Sequence, residues 1–177
     1  MRIIAGRWKG RRISAPKGRA IRPTTDRVRE AWMSALGGRL DGLTVLDLFA
    51  GSGALGLEAL SRGAEHATFV ERARAPMAAL QANIRLLEAG PLTTVVKAEA
   101  HAWLARQDHA DFDLALADPP YGEGHAARIV ERWSEAPFAR ELWVEHRTAE
   151  PLPEVEGLRQ RRYGDTTLST LSRAPDA

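Results

Sequence analysis

Apolar positions along this chain recur with two different periods. Short dense runs at 44–48, 66–70, 93–97, 112–117 and 141–145 read as strands. Between them, 57–62, 76–88, 100–106 and 125–133 read as helical, and Gly63 and Gly90-Pro91 stop two of these stretches. Ahead of them all, 22–36 predicts a helix that brings Val28, Trp32, Ala35 and Leu36 together behind the capping choices in Pro23-Thr24-Thr25-Asp26. Two final strands, 158–163 and 166–171, predict a hairpin around Gly164-Asp165. Strands alternating with helices and closed by a hairpin indicate an α/β fold with a doubly wound, mainly parallel seven-stranded sheet that ends in an antiparallel hairpin. Ligands are expected at the carboxyl ends of its strands.

A length of 177 residues predicts one domain, 1–177, with no internal repeat or linker. Charge divides it. Residues 1–40 hold eleven Lys or Arg against Asp26 and Glu30, a net of +9, which leaves −7 for the rest of a chain whose total is +2. The chain therefore reads as a basic arm, 1–21, on an acidic body, 22–177. Basic residues interleaved with Ile3, Ile4, Trp8 and Ile13 and punctuated by Gly6 and Gly10 predict a small β-hairpin whose cationic face tracks phosphates. Arg7, Lys9, Arg11, Arg12, Arg22, Arg27 and Arg29 are its candidate RNA contacts, against the alternative of a solvated basic tail.

The cysteine count is zero, which excludes disulfides and thiolate metal sites, and no apolar run approaches a membrane span. The first residues carry charge where a signal peptide has an apolar core, so a cytoplasmic location is expected, away from membranes. His66, His101, His109, His125 and His146 lack metal-ligand spacing, no serine sits in a nucleophile elbow, and neither a metal nor hydrolase chemistry is expected.

The strand at 44–48 empties into Ala50-Gly51-Ser52-Gly53-Ala54-Leu55-Gly56, a literal G-x-G-x-x-G before a helix. Such a turn admits close backbone approach and aims helix amides at a ligand. Glu71 follows Gly51 by 20 residues, where a carboxylate meets ribose hydroxyls. Asp47 lies just ahead of the glycines, and an anion there suits a cationic amino acid group better than a pyrophosphate. The strand at 93–97 runs straight into Glu99-Ala100, and Glu99 reads equally as a solvated residue opening a helix.

The strand 112–117 ends in Asp118-Pro119-Pro120-Tyr121. Two prolines fix φ and hold the preceding residues extended, so the Asp118 carboxylate and the Pro119 carbonyl can converge on one spot. Both are acceptors. A ring-conjugated amine is a poor nucleophile because its lone pair is delocalised, and two acceptors on its hydrogens favour the pyramidal state that frees it. Tyr121 would stack on the base. A plain Pro-Pro turn is the alternative for this tetrapeptide alone.

Asp47-Leu48-Phe49-Ala50-Gly51-Ser52-Gly53, Glu71 and Asp118-Pro119-Pro120-Tyr121, in that order, resemble the successive motifs of Rossmann-like class I S-adenosylmethionine-dependent amino-methyltransferases. With Arg2-Ile3-Ile4-Ala5-Gly6, Arg22-Pro23-Thr24-Thr25-Asp26-Arg27-Val28-Arg29-Glu30 and the closing Tyr163-Gly164-Asp165-Thr166, nearly the whole chain resembles the bacterial 16S rRNA (guanine(966)-N(2))-methyltransferases. One departure stands out: Ala31-Trp32-Met33-Ser34 replaces the family's usual Leu-Phe-Asn series, so contacts there are not carried over. The resemblance implies a donor, S-adenosylmethionine, held by Asp47, Ala50, Gly51, Ser52, Gly53, Glu71, Arg72, Glu99 and Ala100, with S-adenosylhomocysteine as product. It implies catalysis at Asp118, Pro119, Pro120 and Tyr121, and a guanine of 16S rRNA as substrate, free or within a small-subunit particle. A monomer is expected. A DNA adenine-N6 methyltransferase shares the tetrapeptide, but the chain has no spare length for a target-reading region. A nicotinamide-dependent oxidoreductase shares the glycines but leaves the tetrapeptide and the arm unused.

Overall fold

The sheet carries its strands in the order β3-β2-β1-β4-β5-β7-β6. In the computed structural model, which describes residues 1–15, 24–38, 40–107 and 112–173, with the side chains of 24–27 left aside, these are β1 Thr44–Leu48, β2 His66–Glu71, β3 Thr93–Lys97, β4 Phe112–Ala117, β5 Ala139–Arg147, β6 Arg159–Tyr163 and β7 Thr166–Ser172. The first five are parallel neighbours, and β7 pairs antiparallel with both β5 and β6. The helices are α1 Thr24–Ala35, α2 Ala54–Ser61, α3 Arg74–Leu86, α4 Ala100–Leu104 and α5 His125–Glu135. None is long and apolar enough to cross a membrane among the described residues.

Central parallel strands are covered on both sides, which is why their sequences are nearly continuous apolar runs. One core packs Trp32, Met33, Leu57, Leu60, Phe69, Leu80, Trp143 and Leu168 together; the other packs Leu46, Leu48, Ala115, Ile129, Trp133, Phe138 and Val144. Trp32 and Met33, at the departure from the family series, are fully buried and serve packing. Strand β5 is longer than its apolar middle because its polar ends, Arg140 and His146-Arg147, still pair with β7 and the segment that follows it. Helix α3 starts before Pro76, which the first turn tolerates, after the Ala73 amide has donated to Glu71 Oε1 at 2.7 Å.

The arm differs from expectation in two ways. Its halves do face each other, with Ile3 N donating to Arg11 O and Ile13 N to Met1 O, but Arg2 and Arg12 form its single ladder bridge among the described residues. Helix α2 takes up four of the other amides. Glu58, fully buried, accepts from Ile4 N at 2.7 Å and Ala5 N at 3.0 Å, and Ser61 accepts from Trp8 N at its hydroxyl and Arg7 N at its carbonyl. Gly6, at φ 82°, passes so close that a Cβ would sit 1.7 Å from the Ser61 carbonyl oxygen, so no side chain fits there. The arm is thus docked through residue 15, which removes the solvated-tail alternative over that stretch.

Candidate active site

The order of the sheet reverses between β1 and β4, and an α/β sheet opens its binding crevice at such a switch point, beyond the strand ends. A cavity of about 400 Å³ lies there, lined by Phe49, Val70, Glu71, Arg72, Ala73, Ala75, Pro76, Ala98, Glu99, Ala100, Asp118, Pro120 and His125. Four strand ends supply most of this wall. Three carboxylates face it against one arginine, so the site suits a cationic ligand and repels a pyrophosphate.

Glu71 and Glu99 are held by backbone amides. Glu71 ends β2 and accepts from Gly51 N at 2.9 Å through one oxygen and from Ala73 N through the other, which leaves lone pairs for ribose hydroxyls. Glu99 caps α4, accepting from Ala102 N at 2.7 Å. Partial burial raises its carboxyl, but the amides of Ala102 and His101 and the charges of His101 and Arg128 outweigh that and hold it below the ordinary range. Both readings of Glu99 meet in one residue: it opens the helix and it faces the cavity. Asp118 is exposed at the end of β4, with Pro119 buried behind it.

Of the residues expected to bind cofactor, Glu71, Arg72, Glu99 and Ala100 line the cavity; Asp47, Ala50, Gly51, Ser52 and Gly53 do not. Asp47 is corrected to a supporting role. It is 1% exposed and accepts from Gly56 N at 2.9 Å, fastening α2 to β1. Burial raises its carboxyl well above the usual range, the Gly56 amide opposes this, and the negative charges of Asp118 and Glu71 push further up. A Cβ at Gly56 would meet the Phe69 ring at 2.4 Å, so that glycine serves helix-sheet packing. Gly51, at φ 58°, reaches the cavity edge through its bond to Glu71.

Tyr121 also differs from expectation. Its hydroxyl donates to Glu145 Oε1 at 2.7 Å and lies 3.2 Å from Thr166 Oγ1, while the Arg147 guanidinium covers its ring at 5.5 Å. Burial, with Glu145 and Asp118 beside it, pushes the phenol pKa up, and Thr166 only partly offsets this. One face of the ring is therefore already taken.

Among the expected RNA contacts, Arg7, Lys9, Arg11 and Arg12 are exposed on the docked arm, although Arg11 Nη2 donates to Leu86 O at 2.7 Å. Arg29 is corrected: it is 5% exposed and donates to Arg2 O at 2.7 Å and to Met1 Sδ, so it ties α1 to the arm from inside. Arg22 lies outside the described residues, as does the Arg27 side chain. No cluster of three or more His, Cys, Asp or Glu positioned to hold a metal occurs among the described residues.

A family model described as conserved hypothetical protein 95 matches residues 1–172. The ribosomal RNA small subunit methyltransferase D of Escherichia coli K12 is 38% identical over 158 residues, 88% of this chain and 79% of that one. YlbH of Bacillus subtilis, assigned as an rRNA methyltransferase, is 37% identical over 182 residues, 98% of this chain and 99% of that one. The chain belongs to the ribosomal RNA small subunit methyltransferase D family. A solved Escherichia coli structure assigned as a methyltransferase, yhhF, superposes with a TM-score of 0.84 at 33% identity over 99% of both chains.

For this family member, sequence reasoning missed an aromatic wall. Phe49 takes a left-handed φ of 57°, a strained conformation for a bulky residue, and packs its ring against His101 and His125 at 5.7 and 5.0 Å. His101 Nε2 and His125 Nδ1 lie 2.8 Å apart, and His125 Nε2 lies 3.1 Å from Glu123 Oε2. The histidines belong to different helices, so spacing could not reveal the pair. Phe49 was the findable one, standing between Leu48 and Ala50 inside the recognised motif.

Proposed function

We propose that this protein transfers a methyl group from S-adenosylmethionine to the exocyclic N2 of a guanine in 16S rRNA, acting in the cytoplasm as a one-domain monomer. The observation that carries this reading is that Asp118 opens into the same cavity as Glu71 and Glu99. When bound, the donor supplies an activated methyl on a sulfonium centre, so no strong base is needed before transfer.

The chain's own groups supply position and charge. Glu71 takes ribose hydroxyls, Glu99 takes the adenine amine beside the Ala100 amide, and the three carboxylates favour a positive charge between them. Asp118 and the Pro119 carbonyl accept the hydrogens of the guanine amine and favour its pyramidal form, with Pro120 fixing the turn. Alignment of the two reactants carries most of the rate. The surplus proton leaves after transfer to Asp118 or water. A guanine reaches Asp118 only when unstacked from its RNA, and the Tyr121-Arg147 pair is the platform beside which it settles.

Incubation with methyl-labelled donor and 16S rRNA, free and in small-subunit particles, followed by nucleoside digestion, tests this. Labelled N2-methylguanosine is the expected product. Labelled N6-methyladenine from a parallel incubation with double-stranded DNA supports the adenine-specific alternative. Tight binding of a nicotinamide dinucleotide without binding of S-adenosylmethionine overturns the proposal.

A further inference from the structure

We propose that the outer strand β6 is a second RNA-binding surface, which holds the single-stranded segment next to the target guanine. This rests on the RNA reading above and adds a surface that the N-terminal arm does not include.

Strand β6 reads Arg159-Gln160-Arg161-Arg162-Tyr163, with no acidic residue, and its first four residues are exposed. Among the described residues it pairs with β7 alone, which leaves it the edge strand of the sheet. Side chains alternate between sheet faces. The register sets Arg159, Arg161 and Tyr163 opposite Thr170, Leu168 and Thr166, and those opposite Trp143, Glu145 and Arg147 of β5. All nine share one face, and Tyr121 is held there by Glu145, Thr166 and Arg147. Two strand spacings, about 10 Å, separate Arg161 from Glu145, a span suited to a neighbouring phosphate when the base sits by Tyr121.

Two further observations favour a polyanion on this face. Among the described residues, no hydrogen bond or ion pair engages the Arg159 or Arg161 side chain, whereas Arg162, on the other face, donates to Gly164 O at 2.9 Å. That other face borders a hollow lined by Glu150, Glu154 and Glu156, which repels phosphate. The charge pattern thus directs an RNA strand to the Tyr121 side. The arm docks on α2 and α3, and β6 lies at the far edge of the sheet from β3, so the two basic surfaces grip separate parts of the substrate.

Charged residues on an edge strand also guard against aggregation, and the test separates the two roles. The double variant Arg159→Glu/Arg161→Glu keeps a charged edge and reverses its sign, and Arg159→Gln/Arg161→Gln is the milder companion. Binding of a 16S rRNA fragment is measured by fluorescence anisotropy across salt concentrations, with melting temperature, gel filtration and donor affinity measured alongside. The expected result is folded, monomeric variants with unchanged donor affinity and RNA binding weakened at least about tenfold. The log-log salt slope should be shallower by about 1.4 for two lost single-strand phosphate contacts. Folded variants that bind RNA with the parental slope overturn the proposal. If the parent itself neither binds nor methylates RNA, the functional reading fails first and this surface fails with it.

Discussion

Asn83 donates to the Ser52 carbonyl at 2.9 Å and, from the same amide nitrogen, to the Ser14 carbonyl at 2.9 Å, while its oxygen accepts from Ser14 N. One buried side chain on α3 thus holds both the glycine loop and the end of the arm. Its two donors and its acceptor are all used, which also fixes the orientation of the amide.

Asn83→Ala should therefore cost about 1–3 kcal/mol of stability and release both segments at once. Hydrogen exchange should accelerate at Ser14 and around Ser52, and donor affinity should fall although Asn83 does not line the cavity. Faster exchange at only one of the two segments would show that they are not joined through this residue.

Glu71 has a structural duty besides the proposed ribose contact, because it anchors Gly51. Glu71→Gln keeps an acceptor but loses the charge and swaps one oxygen for a donor. Calorimetry should show donor binding weakened by roughly 1.5–3 kcal/mol, the range for hydrogen bonds to charged groups. Glu71→Ala should be weaker still, because the Gly51 and Ala73 amides also lose their partner.

Much of this frame is legible in the residues themselves. Strands β1, β3 and β4 match their predicted bounds residue for residue: β1 and β4 because buried parallel strands carry apolar runs, and the edge strand β3 because its β-branched residues are bounded by Gly90-Pro91 and Glu99. The arm is less legible. Its amides are taken by Glu58 and Ser61, about fifty residues away, and nothing in the spacing announces that partnership. Asp47 and Arg29 were misplaced for a related reason: a charged residue near a motif reads as a ligand contact, whereas burial against Gly56 or against the arm makes each a fastener. The positions of Asp118 and Glu99 beside the cavity were legible because both follow the carboxyl ends of parallel strands, where ligands gather.

Tyr121→Phe looks mild from the sequence, since it keeps the ring. The hydroxyl contact to the buried Glu145 changes that expectation. The variant should lose about 1–3 kcal/mol of stability, with RNA binding little altered, whereas Tyr121→Ala should weaken RNA binding as well, by roughly 1–3 kcal/mol for a lost stacking platform. Chemical denaturation and RNA titration of the two variants check this division.

Acid should destabilise the fold through two histidines. Burial lowers the pKa of His101 below 6.5, with Arg128 and His125 adding to the effect against Glu99. Burial also lowers that of His146, against the Arg147 carbonyl and Glu150. The folded state thus binds these protons less readily than the unfolded chain. Their contribution is fully present above the unfolded value of 6.5 and is lost as the pH falls through their lowered folded values. Stability measured from about pH 7.5 down to about pH 5 should decline, and the decline should be shallower in His101→Gln/His146→Gln. An equally steep decline in that variant would assign the acid sensitivity to other groups.

The most direct test of the account is single-turnover methylation of 16S rRNA by saturating enzyme, with Asp118→Ala compared against the parent and donor affinity measured in parallel. If Asp118 holds the guanine amine as its nitrogen becomes pyramidal, the loss lies in the transition state. The parent should form N2-methylguanosine and the variant should do so about 100-fold or more slowly, as when a preorganised transition-state contact is removed, with a much smaller loss of donor affinity because Glu71 and Glu99 remain. A near-parental single-turnover rate in Asp118→Ala would contradict the account and reduce Asp118-Pro119-Pro120-Tyr121 to a structural turn.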